Sequence, residues 1–229
     1  MNPTLSTLAT VVLSFALSAL PAAAQAGLWD DVEHGYAENG DVRIHYAAVG
    51  EGPLVVMIHG FPDFWYSWRH QMEGLRDEFR VVAIDQRGYN RSSQPQGIEA
   101  YDMGLLVEDV LTVIRHLGRD RATIVGHDWG GVVAWNLAFA HPDVVDKLVI
   151  LDLPHPAGMA RAWAANPEAF AATGYARVFR EGSPGDPGIF FGMPMTPETL
   201  SGWVQDPEAR ARYVEAFRRS SFDGMLAYY

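Results

Sequence analysis

Residues 126–130, with the sequence Gly-His-Asp-Trp-Gly, constrain the fold most, because their pattern predicts a sharp turn from a strand into a helix. A β-branched apolar run, 122–125, precedes the turn, and residues 131–138 follow it with helical character. The middle position of such a turn often holds a serine nucleophile, and here it holds Asp128. A carboxylate is already ionised at neutral pH, so it can attack a saturated carbon and form an alkyl ester. The alternative is an aspartate that only caps the helix.

Two further segments place this turn in a larger pattern. Residues 54–58 predict a buried parallel strand that runs into His-Gly-Phe-Pro at 59–62. Another strand precedes the turn 85–93, in which we interpret Asp85 and Arg87 as structural. With the turn around Asp128, these motifs resemble the epoxide hydrolase branch of the α/β-hydrolase fold, from about Tyr36 to the last residue. The resemblance implies a mostly parallel sheet with helices on both faces and a helical cap.

The resemblance also implies roles for individual residues. Asp128 would attack an epoxide, and the backbone N–H groups of Phe61 and Trp129 would form the oxyanion hole. Water would then cleave the ester to release a vicinal diol. The substrate pocket is expected to include three residues near the first motif: His59, Pro62 and Trp65.

Haloalkane and fluoroacetate dehalogenases resemble the chain around the same nucleophile. The former usually have Glu or Asn in place of Phe61, and the latter have an arginine in place of Trp129. These differences favour an epoxide over an alkyl halide or a haloacid, which stay as alternative substrates.

Beyond residue 154, aromatic residues and short helical stretches resemble the cap that covers the site in this family. In epoxide hydrolases two cap tyrosines donate hydrogen bonds to the epoxide oxygen. Tyr229 falls at the position of the second tyrosine. Val178 stands at the position of the first, and Tyr175, one helical turn away, is the candidate substitute.

The general base that the mechanism requires is not evident in the sequence. In this fold the base is a histidine after the last strand, held by an acid. The last of the eight histidines is His155, which could approach the site but has an ordinary loop position. Asp152 ends a predicted strand, and we expect it to be the acid that would orient the histidine.

The sequence ends within a cap motif, so we expect the closing strands and helices of a complete hydrolase to be missing. The strand before Asp152 would then keep an unpaired edge. Two other hypotheses about function follow: this polypeptide is an inactive fragment, or it is alkylated at Asp128 once and cannot turn over.

Composition excludes one class of partner. A formal net charge of −11 and the absence of a Lys/Arg run argue against nucleic acid. The sequence contains no cysteine, no cluster with metal-ligand spacing and no phosphate-binding glycine loop, so we expect neither a metal nor an organic cofactor. The expected partners are a small-molecule substrate and water.

The N-terminal residues predict export from the cytoplasm. An apolar stretch and an Ala-Gln-Ala sequence at 24–26 are typical of a signal peptide cleaved near Ala26, although the start carries no Lys or Arg. A membrane anchor is the alternative, but the stretch is short for one. We therefore divide the chain into a signal peptide (1–26), the N-terminal part of a hydrolase core (27–153) and an incomplete cap (154–229), and expect a secreted or periplasmic protein.

Overall fold

A six-stranded sheet organises the computed structural model, which describes residues 28–166, 168 and 173–229. The predicted signal peptide lies outside these residues. The strands are β1 (Glu33–Asn39), β2 (Val42–Val49), β3 (Leu54–Ile58), β4 (Arg80–Ile84), β5 (Ala122–His127) and β6 (Val145–Leu151). Their order in the sheet is β1-β2-β4-β3-β5-β6, in which β2 is antiparallel to β1 and β4 and the rest are parallel.

Helices alternate with the parallel strands, and after β6 the described chain contains helices without further strands. They are α1 (Leu28–Asp31), α2 (Arg69–Leu75), α3 (Met103–His116), α4 (Trp129–Ala140), α5 (Pro156–Ala165), α6 (Gly174–Glu181), α7 (Pro197–Leu200), α8 (Pro207–Arg219) and α9 (Phe222–Leu226), with 3-10 turns at Trp65–Trp68 and Ile98–Tyr101. The change from strand to helix falls between β6 and α5, next to the predicted boundary at residues 153 and 154. The division into domains itself stays a prediction.

The centre of the sheet is apolar on both faces. Every residue of β3 is buried, and β3 lies between β4 and β5 in parallel register. A strand covered on both faces needs a continuous apolar run, which explains the sequence Leu-Val-Val-Met-Ile. Because parallel strands end at the same edge, the loops after β3 and β5 meet there and bring Phe61 close to Asp128.

Strand β6 is an edge strand in the part of the chain that the structure describes, as expected from the sequence. Its side chains are only partly covered, and Val149 and Leu151 are exposed. An edge strand with exposed apolar side chains is the kind of surface at which another strand can pair.

The turn after β4 is held by buried charges. Asp85 accepts hydrogen bonds from His45 Nδ1 at 2.6 Å and from Asn90 Nδ2 at 2.8 Å. Asn90 has a φ of 42°, a conformation that asparagine adopts more readily than most residues. Arg87 pairs with Asp109 through two contacts of 2.6 Å. These contacts support the structural interpretation of Asp85 and Arg87.

Candidate active site

Asp128 stands on the predicted tight turn between β5 and α4. Its φ of 51° and ψ of −123° lie outside the usual regions for a non-glycine residue, so its backbone is strained. Neighbouring glycines permit the turn. A Cβ on Gly130 would lie 2.1 Å from the carbonyl oxygen of Ile58, and one on Gly126 would lie 2.4 Å from the carbonyl oxygen of Gly130. The side chain of Asp128 makes no capping hydrogen bond to α4, which argues against the alternative of a simple helix cap.

The carboxylate of Asp128 instead reaches the loop after β3. The backbone N–H of Phe61 donates to Asp128 Oδ1 at 2.8 Å. Gly60 allows this approach, because a Cβ there would lie 2.4 Å from both Cβ and Oδ1 of Asp128. The loop predicted to supply an oxyanion-hole donor therefore contacts the predicted nucleophile directly.

The environment of Asp128 affects the pKa of its carboxyl group in two opposite ways. Burial raises the pKa of the carboxyl above its ordinary value, and the negative charge of Asp152 adds to this. The N–H groups of Phe61 and Trp129 oppose the rise because they stabilise the charged form. A partly desolvated carboxylate whose charged form is stabilised by two N–H donors suits a nucleophile.

The two candidate tyrosines of the cap lie together beside this carboxylate. The ring centroid of Tyr229 is 5.1 Å from that of Trp129 and 5.6 Å from that of Phe61. Tyr175 lies 6.3 Å from Tyr229, again between centroids. Burial, followed by the charge of Asp128, raises the pKa of both hydroxyls. Each hydroxyl therefore keeps its proton at neutral pH and can donate a hydrogen bond.

Two phenylalanines without a predicted role, Phe179 and Phe190, pack around Phe61 beside the same carboxylate. The ring of Phe61 has its centroid 5.2 Å from that of Phe179 and 6.2 Å from that of Phe190. Phe179 also lies 5.0 Å from Tyr229. Such distances are typical of packed aromatic pairs. The walls around Asp128 are thus aromatic, which suits an apolar substrate.

Two of the three predicted pocket residues, Trp65 and His59, are buried among core side chains. Trp65 is fully buried, its ring stacked at 5.3 Å on Trp29. His59 is also fully buried: Nδ1 donates to the carbonyl oxygen of Gly60 at 2.8 Å, and Nε2 accepts from the backbone N–H of Gln86 at 3.1 Å. Burial lowers the pKa of His59 to about 4, so the ring is neutral. Both side chains hold the core. Pro62 is partly exposed, and its place in the pocket stays a prediction.

Asp152 and His155 are not partners in the structure. Asp152 directly follows β6, with a φ of 60°, and its side chain is exposed. His155 begins α5, where its Nδ1 accepts from the N–H of Ala157 at 3.1 Å and its ring packs edge-on against Trp135. All eight histidines lie in the described ranges, and none hydrogen-bonds to Asp128 or Asp152 there. The orienting role of Asp152 stays a prediction.

A buried acid that the sequence analysis missed lies close by. Asp63 accepts a hydrogen bond of 2.6 Å from the hydroxyl of Tyr213 and one of 3.3 Å from the N–H of Phe64. Burial raises the pKa of Asp63 to about 7, although both hydrogen bonds lower it. The pair borders a cavity of about 320 Å³ that His127 and Leu151 also line. The only signal in the sequence is an acid directly after the His-Gly-Phe-Pro motif.

Asp63→Asn is expected to increase stability more at pH 8 than at pH 4. The pKa of Asp63 is near 4 in the unfolded chain and about 7 in the folded one. Its stabilising contribution is therefore complete below pH 4 and is lost as the pH rises through 7, by up to about 4 kcal/mol. An asparagine carries no charge and its oxygen still accepts from Tyr213. Urea unfolding at both pH values measures the difference, and a pH-independent difference would contradict the shifted pKa.

Neither a metal cluster nor a membrane span is found in the described ranges. No group of three or more His, Asp or Glu side chains within 28–166, 168 and 173–229 is arranged to hold a metal ion. Across the same residues, no helix combines the length and apolarity needed to cross a bilayer.

Comparison with known proteins identifies the family. A family model described as the alpha/beta hydrolase fold matches residues 53–210. The AB hydrolase superfamily protein YfhM of Bacillus subtilis is 39% identical over 154 residues, which are 66% of this chain and 54% of the relative. Epoxide hydrolase 4 of Mus musculus is 44% identical over 117 residues, 50% of this chain and 33% of the relative. The chain thus spans from a third to about half of these relatives.

Solved structures agree with this assignment. A variant of an epoxide hydrolase from Bacillus megaterium, complexed with its naphthyloxy-propanediol product, is 33% identical, with a TM-score of 0.75 over 85% of this chain and 70% of that one. Epoxide hydrolase A from Mycobacterium thermoresistibile is 31% identical, with a TM-score of 0.70 over 86% of this chain and 73% of that one. The chain therefore belongs to the α/β-hydrolase family, on its epoxide hydrolase branch.

Proposed function

We propose that this chain opens epoxides through a covalent ester on Asp128. One observation carries the proposal: the carboxylate of Asp128 sits on the strained turn after β5 and accepts the N–H of Phe61 at 2.8 Å. An aspartate that only caps a helix would accept the N–H of the second or third residue of that helix, and the side chain of Asp128 makes no such bond. The relatives named as epoxide hydrolases support the substrate class.

The first step needs only groups that lie at the site. An oxygen of Asp128 attacks an epoxide carbon, so a new C–O bond forms while the ring C–O bond breaks. The electron pair goes to the ring oxygen, which takes a proton from the hydroxyl of Tyr229, with Tyr175 as the second donor. Tyrosines that stay protonated at neutral pH suit this task.

The second step is hydrolysis of the ester. Water adds to the ester carbon, and the N–H groups of Phe61 and Trp129 stabilise the oxyanion before the diol leaves. This addition needs a general base, and no histidine hydrogen-bonds to Asp128 in the described part of the chain. We propose that in the family mechanism a histidine, held by an acid at the position of Asp152, is this general base. In this polypeptide we expect the ester to form faster than it is hydrolysed.

Intact-mass analysis after incubation with a reactive terminal epoxide tests the proposal. The expected result is a mass increase of one epoxide per chain, mapped by digestion to the peptide that contains Asp128. Diol release without an adduct would show that a base acts on the ester. Neither product from a folded chain would refute the proposal and favour an inactive fragment.

An alkyl halide is the second candidate substrate, because attack on a saturated carbon is the same first step. It is favoured by Val178, an exposed side chain without a hydroxyl at the position expected for a tyrosine. Phe61 opposes it, since it offers the leaving halide no side-chain donor. Halide release from a terminal chloroalkane, measured beside epoxide labelling, separates the two substrates.

We also propose that residues 1–26 direct export and are then removed. The apolar stretch and the Ala-Gln-Ala sequence at 24–26 support this proposal. N-terminal sequencing of the protein from an expressing bacterial host should find Gly27 as the first residue in the exported fraction. An intact Met1 in membrane-bound protein would favour an anchor instead.

A further inference from the structure

A second cavity lies between the core and the cap, apart from the candidate active site. Its volume is about 280 Å³, and three segments line it: 95–101 before α3, 179–184 at the end of α6, and 221–227 around α9. The nucleophile Asp128 and the two oxyanion-hole residues, Phe61 and Trp129, are not among its lining residues. A cavity of this size can hold a small organic molecule.

The walls of this cavity are held in place by contacts with the core. On the α9 side, the backbone N–H of Ser221 donates to the carbonyl oxygen of Gly88 at 2.9 Å. A Cβ on Gly224 would lie 2.2 Å from the hydroxyl oxygen of Tyr101, so α9 and this tyrosine are in close contact. The hydroxyl of Tyr101 donates to the carbonyl oxygen of Pro95 at 3.0 Å. The cavity is therefore preformed, which lowers the entropic cost of binding a ligand.

Two opposite charges, Arg180 and Asp223, line the cavity and do not pair with each other. Arg180 contacts Glu181 at 3.7 Å, and no ion pair of Asp223 is found within 28–166, 168 and 173–229. A ligand with a net charge of either sign is repelled by one of the two groups. Two neighbouring hydroxyl groups, by contrast, can accept from the guanidinium and donate to the carboxylate. The charges thus favour a neutral ligand with a pair of hydroxyls over an acid or an amine.

Apolar side chains form another part of the lining. They come from all three segments: Ile98, Phe179 and Leu226. Ile98 is 66% exposed, so a hydrocarbon group in the cavity would remove apolar surface from water. The ring centroid of Phe179 also lies 5.0 Å from that of Tyr229, so Phe179 is a wall that the cavity shares with the candidate active site.

We propose that this cavity is a second binding site, for vicinal diols that carry a short apolar substituent. One hydroxyl accepts from Arg180 and the other donates to Asp223, while the substituent contacts Ile98 and Phe179. That such a diol is also the product of this protein rests on the proposed epoxide-opening function. Binding in the cavity requires no reaction at Asp128, so the site and the function can be tested separately.

Isothermal titration calorimetry of the full chain with hexane-1,2-diol tests the inference. Hexanoate and hexylammonium, which have the same chain length and one charge each, should bind at least about threefold more weakly than the diol. Arg180→Ala and Asp223→Ala should each raise the Kd of the diol at least about fivefold, as expected for the loss of one hydrogen bond to a charged group. Both side chains are exposed, so neither substitution should unfold the protein.

Arg177→Ala is the matched control, because Arg177 is an exposed arginine on the same helix as Arg180 and does not line the cavity. The Kd of the diol should keep its original value in this variant. An unchanged Kd in both Arg180→Ala and Asp223→Ala, or tighter binding of hexanoate than of the diol, would overturn the inference. The absence of any epoxide adduct on Asp128 would instead overturn the proposed function, and calorimetry would still decide whether the cavity binds diols.

Discussion

Asp128→Asn is expected to abolish the covalent adduct with a terminal epoxide, by a factor of at least about a thousand in rate. An amide oxygen is a poor nucleophile, and no other carboxylate accepts the N–H of Phe61. Asparagine has nearly the same shape as aspartate, and its side-chain oxygen can still accept the N–H of Phe61, so the turn should persist. Intact-mass spectra of both proteins, with near-ultraviolet circular dichroism as a check of folding, measure the effect.

Asp152→Asn is the matched control for this experiment, since it removes an aspartate near the same site. Asp152 acts on Asp128 only through charge in the structure, and it raises the pKa of that carboxyl. Alkylation should therefore persist, with its pH dependence moved slightly toward lower pH.

In the original protein, the rate of alkylation should decline as the pH falls through the raised pKa of Asp128, because the protonated carboxyl does not attack. Labelling of Asp128→Asn at the original rate would assign the nucleophile elsewhere.

The features predicted well from the sequence are those that depend on nearby residues. Strand-turn-helix geometry around Asp128 follows from two glycines and an apolar run, because backbone clashes leave few alternatives. The contact between Phe61 and Asp128 follows from parallel strands that end at one edge of the sheet. Local sequence and simple topology therefore located the candidate nucleophile and its donor.

The features that the sequence did not reveal depend on contacts between distant segments. Asp63 and Tyr213 are 150 residues apart, and only their packing in the fold makes one the donor of the other. His59 and Trp65 look like pocket residues in a motif, yet the apolar neighbours that bury them come from other parts of the chain. Phe190 and Phe191 belong to a hairpin without the usual Asn-Gly signal. A single sequence contains no local pattern from which contacts between such distant segments can be predicted.

Asp109→Ala is expected to lower the free energy of unfolding by about 3–5 kcal/mol. Asp109 accepts hydrogen bonds from Nε and Nη2 of Arg87, each at 2.6 Å. The side chain of Asp109 is only 4% exposed and that of Arg87 only 3%. Removal of the acid leaves a buried guanidinium without its anion. Since whole domains are stable by about 5–15 kcal/mol, the loss is a large part of the total stability. Urea unfolding monitored by tryptophan fluorescence measures it.

Asp146→Ala is the matched control, because Asp146 contacts Arg121 Nε at the same 2.6 Å while both side chains are 50% exposed. Water screens that pair, so its loss should cost about 0.2–1 kcal/mol. Equal losses in the two variants would mean that burial does not decide the size of the stability loss.

The buried pair of Arg87 and Asp109 also affects the candidate site. The carbonyl oxygen of Arg87 accepts a hydrogen bond of 2.9 Å from the hydroxyl of Tyr228, which is next to Tyr229. Asp109→Ala should therefore slow alkylation of Asp128 even in the fraction that stays folded, whereas Asp146→Ala should not.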